Sequence, residues 1–152
     1  MNPNEPSVLL VEDNPGDIRM ARDGLGKTRF RPRVDVAQTG EEALARLDLV
    51  CEEATPPPWL VLLDLNLPRV GGLEVLLRVK TDPRLARIPV VVLTGSDAHQ
   101  DIETAYGLHA NSYLIKPADP DDYDRLLVAV AEFWLGMARL SSATRRDPCW
   151  NT

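Results

Sequence analysis

Trp59-Leu60-Val61-Leu62-Leu63-Asp64 is the stretch on which the reading of this chain turns, because an unbroken apolar run ends directly on an acid. A run that short has the length of a strand. Apolarity that is continuous instead of alternating means that both faces are covered, as in a parallel sheet between layers of helices. Three more short runs read as strands. Val8-Leu9-Leu10-Val11 ends at Glu12-Asp13, Pro89-Val90-Val91-Val92-Leu93 ends at Thr94, and Ser112-Tyr113-Leu114-Ile115 ends at Lys116-Pro117. A weaker strand over 33–37 carries Asp35 at its centre, which a position near the sheet edge tolerates.

Helix signals fill the gaps. Asp13-Asn14-Pro15-Gly16-Asp17 supplies caps and a proline for a helix start, followed by Ile18, Met20, Ala21 and Leu25 at helical spacing. Thr39-Gly40-Glu41-Glu42 opens a second helix, with Ala43, Leu44, Leu47 and Val50 on one face and Thr55-Pro56-Pro57-Pro58 as its stop. A third is predicted over 73–80, and a fourth over about 98–106 with Gly107 as its terminator. Asp119-Pro120 starts a fifth that continues towards Leu140. Strand and helix alternate five times, which predicts an α/β fold: a parallel five-stranded sheet, doubly wound, with right-handed crossovers. One folded domain is expected over 6–140, followed by a polar tail, 141–152, that is loose or packs in a dimer.

Composition agrees with one core-forming domain. The chain has 152 residues, 44% apolar and 26% charged, and its formal net charge of −6 would repel a phosphate backbone, so nucleic acid is not expected as a direct partner. That acidity fits either a solvated surface or a cation site. Cys51 and Cys149 lack the spacing of a redox or zinc site and are expected to be reduced thiols. No secretory leader and no membrane span is legible, so a cytoplasmic protein is expected.

Ligand sites in open parallel sheets lie beyond the carboxyl ends of the strands. Here those ends present Glu12, Asp13, Asp64, Thr94 and Lys116. Three carboxylates held together repel one another unless a cation joins them. Mg²⁺ suits oxygen ligands, and the backbone carbonyl of Asn66 could add one more. Asp64 would then be free to act as a nucleophile towards phosphorus, with Thr94 and Lys116 each meeting an oxygen of the transferred group. Each residue taken alone has a plainer reading: a turn cap for Asp64, a strand-end β-former for Thr94, a solvated charge for Lys116. It is the joint placement on one rim that favours chemistry.

These features together resemble the receiver domains of bacterial response regulators. The resemblance spans roughly 8–140 and rests on Val-Glu-Asp-Asn at 11–14, Leu-Leu-Asp-Leu-Asn-Leu-Pro at 62–68, Gly71-Gly72, Val-Leu-Thr-Gly-Ser at 92–96 and Lys116-Pro117. It implies a flavodoxin-like (βα)5 fold with strand order 2-1-3-4-5. It also implies Mg²⁺ held by Glu12, Asp13 and Asp64, phosphorylation of Asp64 by a sensor histidine kinase, and a switch pair, Thr94 and Tyr113. The hydroxyl of Thr94 would move to the phosphoryl group, and Tyr113 would turn inward behind it. Glu12 stands where many relatives have aspartate, and its greater length suits metal binding through water. Small Gly95 and Ser96 are expected to leave Asp64 accessible. The three-proline loop, the Asp-Leu-Asn-Leu-Pro sequence and the long last helix resemble stand-alone receivers that serve bacterial phytochromes.

The last helix carries two apolar seams, Tyr123, Leu127, Val130, Trp134 and Met137, and Leu126, Val130, Phe133, Met137 and Leu140. One covers the sheet, and the other predicts a homodimer or a tail folded back. No DNA-binding segment follows, so output is expected through protein contacts. The chain is expected to be a phospho-acceptor and not an enzyme. Two alternatives stand beside this reading: a Mg²⁺-dependent phosphohydrolase, which would want an acid where Asn66 stands, and a dimerisation module independent of phosphorylation.

Overall fold

In the computed structural model, Asn2 and residues 4–141 are described. The expected tail lies outside them apart from Ser141, and so does Cys149. Five parallel strands, β1 (Ser7–Val11), β2 (Arg33–Ala37), β3 (Leu60–Leu63), β4 (Val90–Thr94) and β5 (Ser112–Ile115), form one sheet in the order β2-β1-β3-β4-β5. The connecting helices are α1 (Pro15–Gly26), α2 (Gly40–Cys51), α3 (Gly72–Thr81), α4 (His99–Gly107) and α5 (Pro120–Ala131). The fold is the doubly wound one predicted. No helix among the described residues is long and apolar enough to cross a membrane.

Two cores follow from the two-residue period of the strands. Leu9, Val11, Val61, Leu63, Val90 and Val92 face one layer, where Ala43 and Leu47 of α2 and Val75, Leu76 and Val79 of α3 cover them. Val8, Leu10, Leu60, Leu62, Val91 and Leu93 face the other, beneath Ala21 and Leu25 of α1 and Tyr123, Leu127 and Val130 of α5. All positions of β1, β3 and β4 are buried, which is why these strands read as unbroken apolar runs. The edge strand β2 is only half-buried over most of its length and accommodates Asp35.

Register brings the strand ends level. Val11 pairs with Leu63 and with Ala37, Leu63 pairs with Val92, and Thr94 pairs with Ile115. The next residues, Glu12, Asp64 and Lys116, therefore emerge on one rim. Their backbones stay tied to it: the N–H of Asp64 donates to Val11 O at 3.0 Å and that of Lys116 to Thr94 O at 2.8 Å.

Two expectations need correction. Gly107 does not terminate α4 by adopting a left-handed conformation; it is the last helical residue, and the positive φ of 69° falls on His109. The N–H of His109 bonds to Tyr106 O and that of Ala110 to Ala105 O, so the closing hydrogen-bond pattern places the left-handed residue beyond the glycine. The last helix also fails to run regularly to Leu140. After Ala131 it widens into a π-helical segment, Glu132–Met137, in which Ala138 N–H reaches back to Phe133 O at 2.7 Å. The extra residue in that turn shifts the seam: Leu135 is buried, Trp134 stays half-buried against the same core, and Met137 is turned out. Phe133 and Met137 point outward, Met137 with 72% of its surface exposed. Gly136 sits under Phe30, and a Cβ there would lie 2.6 Å from Phe30 Cζ.

Candidate functional site

Asp64 stands at the centre of the rim. Its Oδ1 accepts hydrogen bonds from the Thr94 hydroxyl at 2.8 Å and from the Asn66 N–H at 3.0 Å, and its Oδ2 accepts from Lys116 Nζ at 2.9 Å. Thr94 is fully buried at the end of β4, so its hydroxyl is fixed by its strand. The backbone leaving Asp64 is held close by α3: a Cβ at Gly72 would come within 2.7 Å of Leu65 Cα, so glycine is what lets the helix start approach this turn.

Glu12 and Asp13 follow β1. Oxygens of Glu12, Asp13 and Asp64 lie within 4.8 Å of one another; Asp13 is exposed and the other two are buried. Glu12 Oε1 accepts from Lys116 Nζ at 2.9 Å, while Glu12 Oε2 is buried with no hydrogen-bond partner among the described residues. A buried carboxylate oxygen without a donor is costly in a folded protein, and a hard divalent cation at this point would satisfy it. The donor set, all oxygen, suits a hard divalent cation such as Mg²⁺ or Mn²⁺.

Lys116 Nζ is engaged on three sides: Glu12 Oε1 at 2.9 Å, Asp64 Oδ2 at 2.9 Å and Asp17 Oδ2 at 2.8 Å. Asp17, in the first turn of α1, was not singled out as a site residue from sequence. The only sequence signal is its place one helical turn after Asp13, which the capping role of Asn14-Pro15 absorbs. Burial alone would lower the Lys116 ammonium, but Asp17, Glu12 and Asp64 outweigh it and hold the group protonated above its ordinary range. Burial, reinforced by the neighbouring Asp64, raises Glu12 well above a normal carboxylic acid. Burial acts upward on Asp64 too, yet Glu12, the Asn66 N–H and Lys116 prevail and draw it below the usual carboxylate range.

Tyr113 is half-buried in β5 and donates its hydroxyl to Ser96 O at 2.8 Å. The Ser96 hydroxyl in turn donates to Asp101 Oδ2 at 2.6 Å. The turn after β4 is therefore fastened, not loose, although Gly95 is exposed and Ser96 no more than half-buried. Thr94 already faces Asp64 while Tyr113 is tied to this turn. A cavity of about 80 Å³ between Arg33, Arg46, Pro56 and Pro58 lies near the opposite ends of the strands and shares none of these residues.

Residues 8–128 match the family described as response regulator receiver domain. The chain is similar to the probable methanogenesis regulatory protein FilR2 of Methanothrix harundinacea, with 42% identity over 87% of this chain and 85% of that one. It is similar also to response regulator Rcp1 of Synechocystis, with 40% identity over 92% of this chain and 97% of that one. The Mn²⁺-bound structure of Rcp1 superposes with a TM-score of 0.83 over 90% of this chain and 99% of that one, at 39% identity. The phosphorylated cyanobacterial phytochrome response regulator RcpA superposes with a TM-score of 0.85 at 42% identity, over 91% of this chain and 99% of that one.

Proposed function

This chain belongs to the response regulator receiver domain family, and on that premise we propose that Asp64 accepts a phosphoryl group from a sensor histidine kinase in a Mg²⁺-dependent step. One observation supports this above the others: the Asp64 carboxylate is held from both oxygens by Thr94, Asn66 and Lys116 beside an acidic cluster fit for a hard cation. Glu12, Asp13, Asp64 and the carbonyl of Asn66 would hold the ion. Bound there, Mg²⁺ supplies charge neutralisation for the three oxygens of the group in flight.

The chain's own residues do the rest. An Asp64 oxygen forms a bond to phosphorus as the N–P bond of the donor phosphohistidine breaks, and the imidazole nitrogen keeps that electron pair. Lys116 and the Thr94 hydroxyl each offer a hydrogen-bond donor to a phosphoryl oxygen. Thr94 and Tyr113 are proposed as the switch pair, coupling the site to β5 and to the turn pinned by Ser96.

The partner kinase is proposed to be a bacterial phytochrome, on the strength of the similarity to the phytochrome response regulator RcpA. A cytoplasmic location, output through protein contacts and a homodimer through the last helix belong to the same proposal; exposed Val128, Phe133 and Met137 support the dimer. Residues 6–140 are proposed as the receiver unit.

The test is intact-mass measurement after incubation with acetyl phosphate and Mg²⁺. The chain is expected to gain one phosphoryl group and Asp64→Asn none. Equal labelling of Asp64→Asn would move the acceptor to another residue, and no labelling of the wild type would end the proposal.

A further inference from the structure

We infer that Asp17 is a positioning residue that competes with the phosphoryl group for the Lys116 ammonium. The inference rests on the proposal that Asp64 is the acceptor, and adds a residue to that site.

An ammonium has three N–H donors. On Lys116 all three are taken by carboxylates, Glu12, Asp17 and Asp64, at 2.8 to 2.9 Å. A phosphoryl group on Asp64 needs one of those donors, so one bond must be given up. The three acids are not equally placed to release it. Phosphorylation makes Asp64 an acyl phosphate with no free carboxylate, so its claim on Lys116 passes to the phosphoryl oxygens, while the Glu12 side chain, 3% exposed, has little water to replace a lost partner. Asp17 is 28% exposed, so solvent can solvate it once it lets go. Of the two carboxylates that remain, Asp17 is therefore the one placed to release Lys116 to a further phosphoryl oxygen.

Asp17 then acts on the phosphorylated state in two ways, both unfavourable. It offers Lys116 a rival acceptor, and it places a negative charge near a group that itself carries about two. The Asn14 cap accepts from the backbone N–H of Asp17, not from its side chain, so the helix start does not depend on the carboxylate. Removing the carboxylate should weaken the unphosphorylated arrangement and favour the phosphorylated one.

The experiment measures the affinity of the Mg²⁺-loaded protein for beryllofluoride, a phosphoryl mimic, and the lifetime of the phosphoryl group after labelling with acetyl phosphate. Asp17→Asn is expected to bind beryllofluoride about three- to tenfold more tightly and to lose its phosphoryl group more slowly. Asp17→Glu, which restores the charge, is expected to return towards the wild type. Asp23→Asn removes an equal charge from the exposed side of α1 and is expected to change nothing. In metal chelator, the nitrogen resonance of the Lys116 ammonium is expected to shift in Asp17→Asn and not in Asp23→Asn. Asp17→Ser provides the same reading if the asparagine variant does not fold.

Unchanged or weaker beryllofluoride binding by Asp17→Asn overturns the inference. So does equal tightening by Asp23→Asn, which would reduce the effect to bulk charge. A wild type that takes up no phosphoryl group at all fails the acceptor proposal instead, and the two failures are separable on the same samples.

Discussion

Burial, and then the Asp64 carboxylate beside it, push Glu12 up to about 9 from the 4.5 of an ordinary glutamate. Between those values the folded chain keeps a proton that the unfolded chain has released. Stability from this source is complete below about pH 4.5 and falls away as the pH rises towards 9. A divalent cation takes the proton's place, so its affinity moves the opposite way and rises across the same window. The expected outcome is that a fixed Mg²⁺ concentration raises the melting temperature more at about pH 8.5 than at about pH 6, and that Glu12→Gln flattens the dependence. A profile that the substitution leaves unchanged would assign the titration to another group. Glu12, Asp13, Asp64, Thr94 and Lys116 were legible as a site because a parallel sheet delivers consecutive strand ends to one rim. Asp17 was not, because its reach depends on how α1 lies across the sheet, and no linear pattern records that.

Element boundaries carry a different lesson. The strands β1, β3 and β4 fall where apolar runs meet acids or a hydroxyl, since burial on both sides leaves little room for another pattern. Helix ends were harder. α2 and α4 both close on a left-handed residue that is not glycine, Glu53 at φ 57° and His109 at φ 69°. A side chain in that conformation costs roughly 1 kcal/mol. Replacing either by glycine is expected to stabilise the fold by about 0.5 to 1 kcal/mol, read from the midpoint of urea unfolding. A loss of stability in both would mean that the side chains make contacts that matter more than the strain. The π-helical turn was equally hidden. A periodicity argument assumes a constant angle per residue, and the π-helical turn over Glu132–Met137 changes that angle where no residue type announces it.

At the level of the whole molecule, the altered phase of the last turn decides what the surface offers. Phe133 and Met137 stand clear of the core, and Phe133 meets Trp134 edge-to-face with centroids 5.0 Å apart. If this face joins two copies, sedimentation equilibrium will give a mass above the monomer for the wild type and a monomer for Met137→Glu. A monomeric wild type at the highest attainable concentration would remove the dimer from the proposal. The sheet order has a consequence of its own. β5 and β3 are not neighbours, and β4 lies between them. Lys116 nevertheless spans that gap from the end of β5 to touch Asp64, and beyond it Glu12 after β1. A change of charge at the middle of the molecule is thus felt at one margin without being relayed through the intervening strand. On the other side β2 contributes no side-chain bond to the cluster among the described residues, so news from the acidic pocket has a short road towards β5 and a long one towards β2.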